Sequence, residues 1–159
     1  LILTAARSGE VRGAEWSEID FDQAVWIIPA SRMKAKRRHR VPLSDAALGV
    51  LQEARVRHLP SPISLIFGNN KGGVLSDMSL TAVMRRMGVG AVPHGFRSTF
   101  RDWVGEFTQY PSDLAEMALA HVLPNKTEAA YRRGDALEKR RAMMDAWAHH
   151  CLSTDTHGR

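Results

Sequence analysis

The chain has 159 residues, 44% hydrophobic and 25% charged, which suits one globular domain with a sizeable core. Its formal net charge of +5 favours a polyanionic partner such as DNA or RNA, although many basic proteins bind neither. The single cysteine, Cys151, excludes an intramolecular disulfide and favours a reducing compartment, and the lack of long apolar runs excludes a membrane span.

The first third of the chain predicts a short helix followed by a β-hairpin. The apolar start lacks the basic flank of a signal peptide, and we expect the sequence to begin inside a larger protein. The helix is expected at residues 9–16. Two strand-like runs follow at 24–29 and 39–43, and the segment between them, 31–38, is strongly basic. This pattern predicts a hairpin with a long basic tip.

Capping residues and apolar spacing predict two helices and a short strand in the middle of the chain. Ser44 is a suitable N-cap for a helix to about residue 57, where two prolines follow. A short strand is expected at 64–67. Apolar side chains between Leu80 and Met87 recur at i, i+3, i+4 and i+7, which predicts a helix with a core-facing stripe, and Gly88 is suited to end it.

The segment 94–107 is the most informative predicted helix. It carries one apolar stripe at helical spacing, which we expect to face the core. Its members are Phe96, Phe100, Trp103, Val104 and Phe107. At roughly 100° per residue, His94, Arg97 and Arg101 lie together beside that stripe. A helix anchored by aromatic residues therefore offers a neighbouring ridge of His and Arg.

The C-terminal third predicts two helices around a short segment that carries Tyr131. The first helix is expected at 111–120. After Gly134, Asp135 and Glu138 resemble a capping box that opens the second helix, which reaches about residue 150. The tail at 153–159 is expected to be disordered. The fold class predicted from these elements is mainly α with a small antiparallel β-sheet.

Six side chains suit phosphoryl transfer without a metal ion. Arginine forks bind non-bridging phosphate oxygens, tyrosine supplies a nucleophilic oxygen, and lysine or histidine moves protons. Each residue alone is weak evidence, because a surface His near an Arg is common and a lone Tyr is usually structural. The six are Arg7, Lys34, His94, Arg97, His121 and Tyr131.

Four ordered boxes resemble the tyrosine recombinases, or phage-integrase family, in the form found in prophage and genomic-island integrases. The first is TAARSGEVR at 4–12 with WSEID at 16–20. The second resembles the family's lysine hairpin, with RMK at 32–34 and HRVPLS at 39–44. The third is PHGFRSTFR at 93–101, and the last joins LAH at 119–121 to AAYRR at 129–133. Together with LEKRRAMMDAW at 137–147, the resemblance covers roughly residues 1–150.

The resemblance implies a role for each matching residue. Arg7 and Arg97 correspond to the two arginines that hold the phosphate. Lys34 corresponds to the lysine that protonates the leaving 5′ oxygen. The other matches are His94 as proton acceptor or hydrogen-bond partner of the nucleophile, His121 as a further donor to the phosphate, Tyr131 as the nucleophile and Glu10 as a supporting acid. No metal or cofactor is implied, because arginines neutralise the phosphate charge.

Three assignments stay open at this stage. Lys36 competes with Lys34 for the role of catalytic lysine. Four basic residues of the hairpin are either DNA-backbone contacts or solvated charges: Lys36, Arg37, Arg38 and Arg40. Arg101 is expected to hold either a carboxylate or the phosphate. Tyr110, which precedes a proline, is expected only to pack.

The resemblance implies a catalytic domain of the DNA breaking-rejoining fold at residues 1–152, with N-terminal DNA-binding domains absent. It implies site-specific cleavage and rejoining of DNA through a covalent 3′-phosphotyrosine, without ATP. The implied partners are double-stranded attachment sites, further copies of the protein, as a tetramer on DNA, and accessory DNA-bending proteins. The implied location is the bacterial cytoplasm, at the nucleoid. The rival functions are a type IB topoisomerase and a catalytically inactive DNA-binding module of the same fold.

Overall fold

The computed structural model describes residues 1–57, 65–121 and 134–153, and these ranges contain six α-helices and three strands. The helices are α1 (Ser8–Arg12), α2 (Asp45–Arg57), α3 (Ser79–Arg86), α4 (Gly95–Phe107), α5 (Ser112–Ala118) and α6 (Leu137–Leu152). The strands are β1 (Ile19–Asp20), β2 (Val25–Ile28) and β3 (His39–Pro42), and 3₁₀ turns lie at Ile2–Thr4, Trp16–Glu18 and Ala30–Arg32. The predicted mainly helical class with a small antiparallel sheet is confirmed.

The sheet is a three-stranded antiparallel meander in the order β1-β2-β3. Its centre is the predicted hairpin, in which Trp26 pairs with Val41. The two-residue strand β1, which pairs Ile19 with Trp26, was not predicted. The strand expected at 64–67 is reduced, over the described residues 65–67, to a single bridge between Leu65 and Glu15. There the backbone N–H of Ile66 donates to the carbonyl of Ala14 at 2.8 Å.

Two clusters of buried apolar residues hold the elements together. One joins α4, α5 and α6, where the rings of Phe100 and Trp147 meet edge to face with centroids 5.4 Å apart. The other packs the hairpin against α2, around Trp26 and Ile28. The stripe predicted along α4 is buried at its centre, but Phe107 is 74% exposed. That prediction was wrong at the helix end, because the last residue of α4 lies outside the aromatic cluster.

Helix α3 contradicts the core-facing stripe predicted for it. Its length and its end near Gly88 are as expected, but only Met84 of the stripe is buried. Val83 and Met87 are exposed. They line an open apolar cavity of about 620 Å³ together with Leu1 and Val50. Apolar spacing therefore predicted the helix correctly but did not predict how much of its apolar face is covered.

Of the two N-terminal helix caps predicted from the sequence, one is confirmed and the other is wrong. At α2 the hydroxyl of Ser44 accepts the N–H of Ala47 at 3.3 Å, so this cap is confirmed. At α6 the predicted capping box is wrong. The carboxylate of Asp135 accepts bonds from Arg40 at 2.6 and 2.8 Å and lies 3.1 Å from a nitrogen of the buried Arg140. The carboxylate is taken by two guanidinium groups and is not available to cap the helix.

This ion-paired carboxylate ties α6 to the hairpin. Burial acts to raise the pKa of Asp135, but hydrogen bonds from Arg40 and the charge of Arg140 outweigh it and lower that pKa. Arg140 also donates to the carbonyl of Arg40 at 2.7 Å. None of the described helices combines the length and the apolar character needed to cross a membrane.

Candidate active site

The C-terminal end of α5 determines where His121 lies. The N–H of His121 donates to the carbonyl of Glu116 at 2.9 Å, and the N–H of Ala120 donates to that of Met117 at 3.1 Å. This pair of bonds is a Schellman motif, which reverses the chain through one left-handed residue. Ala120 takes that conformation, with φ of 51°, where glycine is usual. The reversal places the ring of His121 back beside its own helix.

Arg97 lies inside the protein, in the first turn of α4, and is only 5% exposed. Its Nη1 donates to the carbonyl of Ala5, and its Nη2 donates to the carbonyl of Leu119 at 2.7 Å. The same Nη2 lies 3.2 Å from Nε2 of His121. Among the described residues, the buried Nε of Arg97 has no acceptor. Two backbone carbonyls therefore fix the guanidinium group while part of its donor capacity is unused.

Arg7 lies at the start of α1, where Glu10 holds it in two ways. The carboxylate of Glu10, only 6% exposed, accepts the backbone N–H of Arg7 and its Nη1, both at 2.8 Å. The other terminal nitrogen of Arg7 lies 3.5 Å from the carbonyl of Ala120, at the outer limit of hydrogen bonding. This contact brings Arg7 to the same chain reversal that positions His121. Glu10 therefore fixes both the backbone and the guanidinium group of Arg7, and its supporting role in the site stays a prediction.

The ring of His121 lies between a guanidinium and a carboxylate. Its Nδ1 is 2.6 Å from Glu116, and its Nε2 faces Arg97. The second oxygen of Glu116 accepts a bond from Arg101 at 2.6 Å. Of the two partners left open for Arg101, the structure shows a carboxylate. Glu116 was missed by the sequence analysis, and the only available signal was an acid five residues before His121.

The electrostatics of this group favour an anion. Burial, and then the nearby charge of Arg7, lower the pKa of Arg97 to about 10, which still leaves it protonated at neutral pH. Two guanidinium groups are thus held close enough to repel each other. An anion placed between them relieves that repulsion, and a phosphate matches the fork geometry of arginine. The described residues include no cluster of His, Cys, Asp or Glu suited to a metal ion.

The remaining predicted site residues lie at the edge of this group or outside the described residues. His94 is exposed at the N-terminal end of α4, and its carbonyl accepts the N–H of Arg97 at 3.1 Å. Lys34 is exposed and follows the buried Met33. Tyr131 lies in the segment 122–133, outside the described residues. The structure therefore brings Arg7, Glu10, Arg97 and His121 together, with His94 one turn away from Arg97 along α4.

The basic hairpin residues divide into two kinds. Three of the four predicted DNA contacts are exposed: Lys36, Arg37 and Arg38. Arg40 is instead engaged by Asp135, as described above. Lys36 differs from Lys34 in its backbone, with φ of 53°. Tyr110 packs, as expected, against the apolar cluster that joins α4, α5 and α6, and its hydroxyl donates to the carbonyl of Ala142 at 3.2 Å.

Two arginines thus converge at the C-terminal end of α5, in a mainly helical domain with a small antiparallel meander. The family model described as the phage integrase family matches residues 1–138, and the chain therefore belongs to that family of tyrosine recombinases. The prophage integrase IntA of Escherichia coli strain K12 is 40% identical over 151 residues, which cover 92% of this chain and 36% of that relative. The chain thus spans about a third of the length of this relative.

Solved structures support the same fold. The crystal structure of XerA recombinase superposes with a TM-score of 0.62 at 12% identity, covering 94% of this chain and 54% of that one. The integrase of the Tn1549 transposon, solved in complex with circular intermediate DNA, superposes with a TM-score of 0.54 at 15% identity. That match covers 84% of this chain and 55% of the integrase.

Proposed function

We propose that this chain is the catalytic domain of a site-specific integrase, which cleaves and rejoins double-stranded DNA through a covalent 3′-phosphotyrosine on Tyr131. The observation that supports this most is the convergence of Arg7, Arg97 and His121 at the chain reversal after α5. In this proposal these cationic and polar groups together bind one phosphate. Family membership supports the reaction type.

The proposed first step is attack of the Tyr131 oxygen on the scissile phosphorus. The new bond joins that oxygen to the 3′ phosphate, and the bond from phosphorus to the 5′ oxygen breaks. The tyrosine proton passes to His94 or to solvent, and Lys34 gives a proton to the leaving 5′ oxygen. Arg7 and Arg97 stabilise the negative charge that develops on the non-bridging oxygens.

Rejoining is the reverse of this step and needs no ATP. The phosphotyrosine bond retains the energy of the phosphodiester, so a 5′ hydroxyl from the same or another duplex can displace Tyr131. Because a free tyrosine has a pKa near 10, neighbouring positive charge is required to stabilise its phenolate form. The arginines supply that charge in this proposal.

The chain is proposed to act with further parts of a longer protein. It covers 36% of IntA, and the catalytic part is assigned to residues 1–152, with DNA-binding domains preceding it. Several copies, as a tetramer, then assemble on the attachment sites, with accessory DNA-bending proteins. The DNA-bound integrase neighbour supports a duplex as partner. The exposed basic residues 36–38 are assigned to backbone contacts that anchor the duplex.

A suicide duplex tests the proposal. The substrate carries the attachment site of the element that encodes the protein, with a nick that releases a short fragment after cleavage and so prevents religation. We expect a protein–DNA band that survives SDS with the full-length protein and is absent in Tyr131→Phe, with Tyr110→Phe as the matched control. Binding without any covalent band would support the inactive DNA-binding module instead. Relaxation of plasmid that lacks the site would support the topoisomerase.

A further inference from the structure

Glu116 is held at both carboxylate oxygens by charged or polar partners. Arg101 donates to one oxygen at 2.6 Å, and Nδ1 of His121 lies 2.6 Å from the other. Burial acts to raise the pKa of Glu116, but the hydrogen bonds from Arg101 and His121 outweigh it and lower that pKa. The side chain is 23% exposed, so the carboxylate is ionised but partly shielded from water.

The partners of His121 determine where its proton lies. A guanidinium nitrogen only donates hydrogen bonds, so Nε2 of His121 accepts from Arg97. A neutral imidazole has one protonated nitrogen, and Nδ1 therefore carries the proton and donates it to Glu116. The backbone carbonyl of Glu116 also accepts the backbone N–H of His121 at 2.9 Å. Glu116 thus holds both the backbone and the ring of His121.

We propose that Glu116 is the positioning residue that aims Nε2 of His121 at the scissile phosphate, with Arg101 holding the carboxylate in place. This inference rests on the proposed function, because it gives His121 a phosphate to face. With Nδ1 bound to Glu116, Nε2 is the ring nitrogen that faces Arg97 and, in the proposed complex, the phosphate that Arg97 holds. When the phosphate takes the Arg97 donor that Nε2 now accepts from, an N–H at Nε2 lets His121 donate to a non-bridging oxygen, and the carboxylate of Glu116 balances the charge of that imidazolium.

A purely structural role has a different signature. Arg101 comes from α4 and Glu116 from α5, so their ion pair also joins two helices. If that were its only purpose, removing the carboxylate would weaken the fold and lower the activity whether or not His121 is present. If Glu116 acts through His121, its removal matters only while the imidazole is there. A double-mutant cycle separates these two cases.

The cycle compares four forms of the full-length protein in single-turnover cleavage of the suicide duplex: parent, Glu116→Gln, His121→Ala and the double variant. We expect Glu116→Gln to slow cleavage about ten- to hundredfold, the range found for residues that orient metal-binding histidines in other enzymes. In the His121→Ala background the same change has little further effect. Glu138→Gln is the matched control, because Glu138 is an exposed carboxylate paired with Arg141.

A second variant and a spectroscopic readout keep the test decisive if Glu116→Gln folds poorly. Arg101 is 62% exposed, so Arg101→Gln is expected to fold and to give a smaller loss that also vanishes without His121. In ¹⁵N-histidine spectra of the parent, His121 should carry its proton on Nδ1, and this preference should weaken in Glu116→Gln but not in Glu138→Gln.

The outcomes separate this inference from the proposed function. A covalent band that persists in Tyr131→Phe overturns the proposed function, whatever Glu116 does. A Tyr131-dependent band together with a parent-like rate in Glu116→Gln overturns only the inference. So does a loss of the same size with and without His121, because it reveals a structural role.

Discussion

Two groups of basic residues in the molecule differ in how firmly their side chains are held. In the anchored cluster, Arg7, Arg97 and His121 are each held by carbonyls or carboxylates of neighbouring elements. In the outer part of the basic tip, residues 34–38, the side chains are exposed. Chemistry on one phosphorus atom requires fixed charges, because the enzyme gains rate only if its donors are already in place. Holding a duplex requires only charge of the right sign near the backbone.

The burial of Arg97 shows how the anchored cluster is stabilised. Removing a charge from water is costly unless hydrogen bonds replace the lost solvent. The carbonyls of Ala5 and Leu119 supply those bonds, and they come from chain segments more than a hundred residues apart in sequence. One side chain therefore joins the N-terminal segment, α4 and the end of α5. The comparison predicts that changes in the anchored cluster affect both chemistry and stability, whereas changes in the basic tip spare stability.

We expect Arg97→Lys to lower the cleavage rate and the free energy of unfolding more than any other substitution considered below. An ammonium group retains the charge, but it cannot reproduce the planar fork that donates to the carbonyls of Ala5 and Leu119 and, in the proposed function, to a phosphate. We expect the single-turnover cleavage rate to fall about 10²–10³-fold, the range for loss of one transition-state donor. The free energy of unfolding in urea should fall by about 2 kcal/mol, because buried carbonyls lose their donors. Arg86→Lys, on the exposed face of α3, is the control and should leave both quantities unchanged.

A second prediction concerns pH and His39, at the start of β3. Its Nε2 lies 3.2 Å from the carbonyl of Ala118, and burial, followed by the charge of Arg140, lowers its pKa to about 4 from 6.5. Between these values the unfolded chain binds more protons than the folded one. The free energy of unfolding therefore falls as the pH drops from about 6.5 to 4, by about 3 kcal/mol.

Urea unfolding at a series of pH values measures this dependence. In His39→Gln we expect the slope between about pH 6.5 and 4 to flatten. An equally steep slope in the variant would show that other groups cause it. His39 lies at the base of the hairpin, where Nε2 contacts the carbonyl of Ala118, so this pH dependence belongs to the anchored part of the hairpin and not to its exposed tip.

The third prediction separates the two candidate lysines of the basic tip. If Lys34 protonates the 5′ oxygen, Lys34→Ala slows cleavage about a hundredfold, within the range for loss of a general acid. A substrate with sulfur in place of the 5′ oxygen should restore the rate, because a thiolate leaves without a proton.

Lys36→Ala is the matched variant. If Lys36 only contacts the DNA backbone, its loss lowers the slope of log affinity against log salt by about 1 and leaves the cleavage rate at saturation unchanged. If the sulfur-containing substrate restored the cleavage rate of Lys36→Ala but not that of Lys34→Ala, Lys36 would be the general acid and Lys34 the backbone contact. Neither change should alter the free energy of unfolding, since both side chains are exposed.

The smallest expected effect is a gain in stability at Ala120. An alanine at φ of 51° costs about 1 kcal/mol compared with glycine, which takes left-handed conformations freely. Ala120→Gly should therefore raise the free energy of unfolding by up to about 1 kcal/mol and leave the cleavage rate unchanged. A loss of stability would contradict the Schellman geometry assigned to this turn.

Local signals predicted most of the fold. The Ser44 cap, the apolar runs of the hairpin and the aromatic stripe of α4 each act within a few residues, and each corresponds to an observed element. Strand β1 has only two residues and forms because β2 is available to pair with it. Asp135 had a capping pattern, but Arg40 from the hairpin and Arg140 from α6 both bind its carboxylate. Such competition cannot be seen in a local pattern.

The candidate site shows the same limit. The resemblance to the tyrosine recombinases indicated Arg7, Arg97 and His121, although the contact between Arg7 and Ala120 spans 113 positions in sequence. Glu116 had no such indication. The role proposed for Glu116 depends on the left-handed conformation of Ala120 at the end of α5. The sequence Leu-Ala-His at 119–121 does not predict that conformation, because it contains no glycine. The family pattern indicated three residues that the structure brings together, whereas the position of Glu116 depends on the backbone geometry of one turn, which no local pattern predicts.

The most direct test of the central claim is to locate the covalent bond. Nuclease digestion of the trapped protein–DNA complex, followed by proteolysis and mass spectrometry, identifies the modified peptide. The account predicts a nucleotide 3′-phosphate attached to Tyr131 in the parent protein. Attachment to Tyr110 or to any other side chain would contradict it.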